Sequence, residues 1–120
     1  MSVADSQVWY FDSGATKHIT SQRDIFSFLE YVPTGNTVTR AYNSMYLVKG
    51  VGTIMLTVTN DNAFTLKDAL YVPRIKKNLL SVLALTRFSL IVKFVDDRCT
   101  VHDLNFGDTI VASGSLSCAL

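Results

Sequence analysis

The chain contains few of the residues on which several classes of protein depend. Its 120 residues include only two cysteines, two histidines and two prolines. The cysteines, Cys99 and Cys118, have neither the number nor the spacing of a disulfide framework or a zinc site. No serine or cysteine lies in a recognisable nucleophile context, and two histidines make a catalytic triad a poor interpretation. We therefore expect a reduced, intracellular domain that uses no metal and no cofactor.

The chain also lacks a charge excess and a long apolar run. It has 11 Lys and Arg against 10 Asp and Glu, without a basic stripe interleaved with aromatic residues, so we expect no direct contact with nucleic acid. Its apolar runs are far shorter than the roughly 18 residues that cross a bilayer. Residues 1–7 are largely polar and do not resemble a signal peptide. These features predict a cytoplasmic protein that does not bind membranes.

The residues that are present favour a small all-β domain. β-branched residues between Gly, Asn and Asp turns predict about eight strands, and this number is typical of a small barrel or sandwich. One short helix is predicted near residues 78–87, with Asn78 as its N-cap. Residues 1–7 are predicted to be a flexible lead-in, and residues 8–120 a single domain.

Two features are predicted in the middle of the chain. Residues 37–48 consist of two extended segments around a small polar tip, the pattern of a β-hairpin. The tip is predicted to be Ala41, Tyr42, Asn43 and Ser44. Gly50-Val51-Gly52 is predicted to break or bulge the chain before a strand at residues 53–59.

Residues 8–15 are the most informative stretch, with the sequence Val-Trp-Tyr-Phe-Asp-Ser-Gly-Ala. An apolar run that ends in an acid, a serine and a glycine predicts a buried strand followed by a tight turn. A carboxylate there is costly unless it has a partner or a use, so Asp12 is the first candidate for chemistry. The alternative is a turn aspartate that caps the loop through backbone hydrogen bonds.

The triplet Asp12-Ser13-Gly14 is of the kind that aspartic proteases use. In that chemistry two carboxylates share one proton and activate a water molecule that attacks a peptide carbonyl. Gly14 allows a sharp turn, and the Ser13 hydroxyl can brace the opposite loop. The sequence has only one such triplet, whereas a dyad needs two. A second copy of the chain is therefore expected to supply the other aspartate.

Two separated blocks resemble the protease domain of copia-type LTR retrotransposon polyproteins. The first block is residues 9–15 with His18 and Thr20 shortly after. The second is residues 66–73, Leu-Lys-Asp-Ala-Leu-Tyr-Val-Pro, followed by residues 77–82, Lys-Asn-Leu-Leu-Ser-Val. A Gly-x-Gly segment lies between the blocks, as in those polyproteins. The resemblance extends over roughly residues 8–94.

This resemblance implies a retropepsin-like aspartic endopeptidase that processes its own Gag-Pol polyprotein. The implied fold is a small closed β-barrel, active as a homodimer in which Asp12 of each copy forms the dyad, supported by Ser13, Gly14 and Ala15. The hairpin would be a flap that closes over a peptide substrate through its tip, and the helix would pack beneath the active-site loop. The protein would be found in a virus-like particle, and the tail after about residue 95 would lead toward the next domain of the polyprotein.

Three departures separate the chain from retroviral relatives of this family. The hairpin tip is not rich in glycine. Thr16 or Lys17 occupies the position of an aspartate that binds the substrate backbone and braces the dimer, and Lys76 and Lys77 stand where a glycine precedes the helix. These departures affect substrate contacts and dimer strength but leave the dyad unchanged.

The departures also keep two alternatives open. The domain could be a catalytically silent or domesticated retropepsin-like fold that acts as a dimerisation or peptide-binding module. It could also be a monomer that is inactive until it is fused or concentrated. His18 is predicted to be an ordinary satisfied or surface histidine. Cys99 and His102 are predicted to serve strand packing, and Arg74, Lys76 and Lys77 to be solvated.

Overall fold

The computed structural model describes residues 8–33, 37–41, 44–59, 62–96, 98–104 and 109–115. Within these ranges the chain is mostly β-structure with one short α-helix, which confirms the predicted composition of secondary structure. The predicted lead-in at residues 1–7 lies outside the described residues. The same holds for residues 34–36, 42–43, 60–61, 97, 105–108 and 116–120.

Strands follow one another at short intervals through the described residues. A 3₁₀ turn spans Arg23–Ile25, and helix α1 spans Val82–Thr86. The strands are β1 (Trp9–Asp12), β2 (Ile19–Thr20), β3 (Phe26–Tyr31), β4 (Val38–Ala41), β5 (Ser44–Leu47), β6 (Gly50–Thr59), β7 (Asn62–Tyr71), β8 (Asn78–Ser81), β9 (Leu90–Val95), β10 (Arg98–Asp103) and β11 (Thr109–Ser115).

The strands form three open sheets rather than the closed barrel that the resemblance implied. The largest has six strands in the order β1-β8-β2-β7-β6-β3, the second has the order β11-β10-β9, and β4 and β5 form a two-stranded hairpin. A barrel closes when its two terminal strands pair with each other. Here β1 and β3 end the six-stranded sheet, and within the described ranges neither pairs with a further strand.

Strand β8 lies between β1 and β2 and joins the two ends of the Asp-Ser-Gly turn. It pairs in parallel with β1, with Asp12 opposite Ser81, and antiparallel with β2, with Ile19 opposite Leu79. Strands β1 and β2 are therefore not neighbours, although only residues 13–18 separate them. Both ends of this short loop are held by the same central strand.

The helix begins three residues later than predicted. All four residues of β8, Asn78–Ser81, are buried, and Ser81 rather than Asn78 caps α1. The apolar run Leu79-Leu80 fits a helix face, but a central strand covered on both faces has the same continuous apolar pattern. Pairing with two neighbouring strands decides the conformation here, because local periodicity alone does not.

Side chains alternate across β1 and β8 and thereby contribute to two core clusters. Trp9 and Leu80 pack with Leu85 of α1 and with Leu90 and Val101 of the three-stranded sheet. Tyr10 and Leu79 belong to the opposite side of the six-stranded sheet. The second cluster contains Ile19, Ala41, Val48, Leu70, Val72, Ile75 and Leu79.

The predicted hairpin is present and covers this second cluster. Strands β4 and β5 pair from Val38 opposite Leu47 to Ala41 opposite Ser44. Ala41 is only 7% exposed and belongs to the second cluster, against which the half-buried Tyr46 also packs. Two of the predicted tip residues, Tyr42 and Asn43, lie outside the described residues.

The Gly-x-Gly segment does not break the chain, but the pairing of β6 with β7 shifts register between Gly52 and Ile54, which agrees with the bulge that was the other predicted alternative. Gly50, Val51 and Gly52 are the first residues of β6, which pairs with β3 on one side and β7 on the other. A Cβ on Gly52 would lie 2.0 Å from the carbonyl oxygen of Phe28. Glycine is required there because the backbones of β3 and β6 approach too closely for any side chain.

Candidate active site

Asp12 is the last residue of β1, and its carboxylate is oriented by the turn that follows. The Gly14 N–H donates to Asp12 Oδ1 over 2.8 Å, which is an Asx-type turn. A Cβ on Gly14 would lie 3.3 Å from the same oxygen, so a side chain at this position would press on the carboxylate. Asp12 is half-buried, whereas Ser13 and Gly14 are exposed.

The other side of the loop is attached to β8 through the Ser81 side chain. Ser81 Oγ donates to the carbonyl oxygen of Ala15 over 2.7 Å and accepts from the Ala84 N–H over 3.0 Å. Ser81 is fully buried and Ala15 is buried. One hydroxyl thus joins the loop of Asp12 to the first turn of α1, and it provides the helix cap.

His18 closes the loop from its far end. Its side chain is 1% exposed, and its Nδ1 accepts from the Ser81 N–H over 3.0 Å. An imidazole that accepts through Nδ1 is neutral with its proton on Nε2. Burial, and secondarily the charge of Lys17, lowers the pKa of His18 to about 4. Of the two environments predicted for His18, satisfied or at the surface, the structure shows the satisfied one.

A second buried network holds the ends of β1 and β2. Thr20 Oγ1 donates to Asn78 Oδ1 over 2.6 Å, and Gln22 Nε2 donates to the same oxygen over 3.2 Å. Asn78 Nδ2 donates to the carbonyl oxygen of Val8 over 3.1 Å. Asn78, predicted to cap a helix, instead connects the start of β1 with the end of β2.

The sequence reasoning missed Ser81 and Asn78 as members of the site. Their partners lie 66 and 70 residues away, at Ala15 and Val8, so no local pattern reveals them. One signal was available. The two blocks that carry the family resemblance include His18 and Thr20 in the first and Asn78 and Ser81 in the second. These are the residues that join the blocks in space.

The two residues that precede Asp12 on β1 both make contacts through their aromatic rings. The rings of Phe11 and Phe94 meet edge to face with centroids 6.3 Å apart. On the other side of the strand, Lys77 Nζ lies 4.9 Å from the centre of the Tyr10 ring. Strand alternation puts Asp12 on the side of Tyr10, which is also the side that the hairpin covers.

The other described carboxylates on strands of the six-stranded sheet, Asp68 on β7 and Glu30 on β3, are at least three strand positions away from β1. Asp68 lies on β7, and both β8 and β2 separate β7 from β1. At ~4.8 Å between neighbouring strands, three spacings put these backbones ~14 Å apart. Two carboxylates that share a proton must be within hydrogen-bond distance.

The described residues offer neither a metal site nor a membrane-spanning helix. No group of three or more His, Cys, Asp or Glu side chains is arranged to hold a metal ion there. Within the same ranges no helix has both the length and the apolar character to span a membrane.

Comparison with known proteins assigns the chain to a family. The profile described as "Pol polyprotein, beta-barrel domain" matches residues 9–89, more than half of the chain. The chain belongs to this family. The match includes the Asp12 turn, the hairpin, β8 and α1, so the elements that build the candidate site all lie within the Pol polyprotein beta-barrel domain.

Three plant proteins are similar to this Pol beta-barrel domain. The Retrovirus-related Pol polyprotein from transposon RE2 of Arabidopsis thaliana is 38% identical over 100 residues, 82% of this chain and 7% of that protein. The corresponding polyprotein from transposon RE1 of the same plant is 37% identical over 103 residues, 85% of this chain and 7% of that protein. The polyprotein from transposon TNT 1-94 of Nicotiana tabacum is 29% identical over 107 residues, 88% and 8% respectively.

These relatives confirm the predicted relation to retrotransposon Pol polyproteins. The chain spans less than a tenth of the length of each of the three relatives. Their names refer to whole polyproteins and do not assign an activity to this domain. No solved structure matches the chain.

Proposed function

We propose that this domain is one half of an aspartic endopeptidase that processes a retrotransposon polyprotein. The observation that carries the proposal is the Asp12 carboxylate at the end of a paired strand, oriented by the Gly14 N–H at 2.8 Å. A purely structural turn needs no more than this hydrogen bond. The loop is also attached to β8 through Ser81. This additional attachment supports a function that requires the carboxylate to be placed precisely.

The chemistry follows from bringing two such carboxylates together. Between two Asp12 side chains only one proton is retained, because two negative charges at hydrogen-bond distance cannot both persist. The ionised carboxylate takes a proton from a water molecule held between them, and the water oxygen attacks the peptide carbonyl carbon. The protonated carboxylic acid donates its proton to the carbonyl oxygen, and the carbon–nitrogen bond of the resulting intermediate then breaks.

A single copy of the domain carries half of this site. Asp68 lies on β7, whose backbone is ~14 Å from that of β1 by strand spacing. In this proposal a homodimer therefore provides the second acid. In this proposal the hairpin β4–β5 is the flap, with Ala41 and Ser44 at the end of its ladder and Tyr42 and Asn43 between them.

The substrate of this enzyme is a peptide, and its natural form is the polyprotein that contains the domain. The relatives are Pol polyproteins of transposons, which supports cleavage of the parent chain at its domain junctions. The corresponding location is the virus-like particle or the cytoplasm in which such a polyprotein assembles.

The test is cleavage at pH 5 of a peptide library derived from a proteome. The products are identified by mass spectrometry. This design does not require the cleavage preference to be known. The native domain should cut a restricted set of sites, and Asp12→Asn should abolish cleavage while the circular-dichroism spectrum is unchanged. The Asn side chain keeps the Gly14 hydrogen bond but has no ionisable group.

Asp68→Asn is the matched control because it removes the same charge from an exposed position outside the site. Asp68 has a backbone φ of 58°, and asparagine tolerates this left-handed conformation as well as aspartate does. This variant should cleave at the native rate. Cleavage of the same sites by Asp12→Asn at a comparable rate would contradict the mechanism.

A second candidate function is a silent peptide-binding or dimerisation module of the same fold. One observation favours it: Ala41, at the end of the hairpin ladder, is buried in the second core cluster, whereas a flap has to move. In this case the native protein and Asp12→Asn would both bind library peptides, and neither would cleave them.

A further inference from the structure

His18 connects three strands of the sheet around the loop of Asp12. Its carbonyl oxygen accepts from the Leu70 N–H on β7 over 2.7 Å, which anchors its backbone. Its imidazole reaches in the opposite direction to the Ser81 N–H on β8. Because Ser81 is the residue opposite Asp12 in the pairing of β1 with β8, the ring acts at the level of the carboxylate.

Ser81 transmits this contact to the loop. Its N–H is held by His18, and its hydroxyl donates to the carbonyl oxygen of Ala15, three residues after Asp12. The loop of residues 13–18 is therefore attached to one residue of β8, Ser81, at two points: Ala15 and His18. Filling the space that the His18 ring occupies does not require a polar contact, since an apolar side chain such as leucine could also fill it.

We propose that His18 is a positioning residue of the proposed active site, which acts through Ser81 to hold the turn that aims the Asp12 carboxylate. This inference rests on the proposed function. His18 does not touch the reacting atoms. Its role is to supply a neutral hydrogen-bond acceptor at the Nδ1 position, where a buried N–H would otherwise have no partner.

The two amide substitutions at His18, to asparagine and to glutamine, differ in whether they can accept the Ser81 N–H. In asparagine, Oδ1 occupies nearly the position of the imidazole Nδ1 and accepts a hydrogen bond. In glutamine, the amide extends to the position of Nε2, so the Ser81 N–H loses its acceptor. A buried donor without a partner is destabilising, so we expect Ser81 to shift and to move the loop that its hydroxyl holds at Ala15.

The charged groups around His18 do not replace this contact. Lys17 is adjacent in the chain and disfavours a positive charge on the ring. Strand β8 and helix α1 contain no titratable side chain. The remaining titratable groups on the elements packed around it are Tyr10 and Asp12 on β1 and Lys67, Asp68 and Tyr71 on β7.

The experiment compares His18→Gln with His18→Asn in the full chain, with kcat and KM measured on one cleaved peptide. His18→Gln should lower kcat at least tenfold with KM within about twofold of native, because the substrate surface is intact and the carboxylate is misplaced. His18→Asn should keep kcat within about threefold. It should also keep its activity at pH values below 4, where a protonated imidazole no longer accepts the Ser81 N–H.

His102→Gln is the control for loss of a buried histidine elsewhere, since His102 lies on β10 with Thr100 Oγ1 2.7 Å from its Nε2. It should leave kcat unchanged. Native kcat in His18→Gln, or an equal loss in His18→Asn and His18→Gln, overturns the inference. If His18→Gln does not fold, His18→Asn decides alone: a folded variant with native kcat supports the role, and a folded variant with a tenfold loss overturns it.

Hydrogen exchange separates failure of this inference from failure of the proposed function. The Gly14 amide, bonded to the Asp12 carboxylate, should exchange at least tenfold faster in His18→Gln than in the native protein or in His18→Asn. If the native domain cleaves no peptide, the proposed function fails, but faster exchange at Gly14 still supports the positioning role. Unchanged exchange at Gly14 overturns it whether or not the domain is a peptidase.

Discussion

Asp12 shows that the structural and the chemical interpretation of a turn aspartate are compatible. Its Oδ1 accepts the Gly14 N–H, so it caps the turn in the way that the simpler interpretation predicted. The same bond fixes the direction of the second carboxylate oxygen. A capped aspartate at the surface end of a strand is therefore pre-oriented for pairing with another carboxylate, at no cost to the fold.

His18 makes the stability of the domain depend on pH in a predictable direction. Its pKa is about 4 in the folded protein against an ordinary value of 6.5, so the unfolded chain binds the proton more readily. The stabilisation is complete above about pH 6.5 and is lost as the pH falls through 4. We expect a difference in the free energy of unfolding of about 3 kcal/mol between pH 7 and pH values below 4 from this group.

Urea denaturation of the native protein and of His18→Asn from pH 7 to pH 3.5 measures this contribution. The carboxylates titrate alike in both proteins, so the difference between the two curves isolates His18. The native protein should lose about 3 kcal/mol more than the variant on acidification. Parallel curves would show that the imidazole is not kept neutral by burial.

At the scale of elements, close approach of backbones explains the Gly-x-Gly segment. Gly52→Ala should lower the free energy of unfolding by about 2 kcal/mol or more, because the new methyl group would collide with the backbone of β3. The nearest atom to a Cβ at Gly50 is the movable Leu29 Cδ1, at 2.8 Å. Gly50→Ala should therefore cost less than Gly52→Ala.

Thermal or urea denaturation of the two alanine variants provides the comparison. The substitutions are chemically identical and two residues apart on the same strand, so intrinsic strand propensity cancels between them. Equal losses of stability, or a larger loss for Gly50→Ala, would show that the distance between β3 and β6 is not what excludes side chains at Gly52.

At the scale of the whole molecule, the half-site makes activity a property of two chains. Adding an equal amount of Asp12→Asn to a fixed amount of the native protein should reduce cleavage to about half, since random pairing leaves half of the native chains in mixed, inactive dimers. Asp68→Asn added in the same way should not reduce it. Sedimentation velocity over a range of concentrations should show a monomer–dimer equilibrium that parallels the specific activity.

Two outcomes contradict this arrangement. Full activity of the native protein in the presence of excess Asp12→Asn would mean that one chain is sufficient. Activity per chain that does not depend on concentration, in a protein that sediments as a monomer, would mean the same. Either result would require a second acid within one chain and would direct the search to residues near Asp12 on the same copy.

What the sequence determined by itself is the local structure of the site and the relation to Pol polyproteins. An apolar run into Asp12-Ser13-Gly14 specifies a strand and a turn through short-range sterics and hydrogen bonding, and the hairpin of β4 and β5 follows from alternation around a polar tip. The paired blocks were sufficient for the family because they combine two independent patterns at a fixed separation.

Only the tertiary structure decided how those blocks meet. Asn78–Ser81 became a strand because β1 and β2 provide backbone partners on both sides, which outweighs a helix-like apolar pattern. The contact between His18 and Ser81 spans 63 residues, and the space around Gly52 depends on the neighbouring strand. These interactions are made between residues distant in the chain, so their partners are defined only once the sheet has formed.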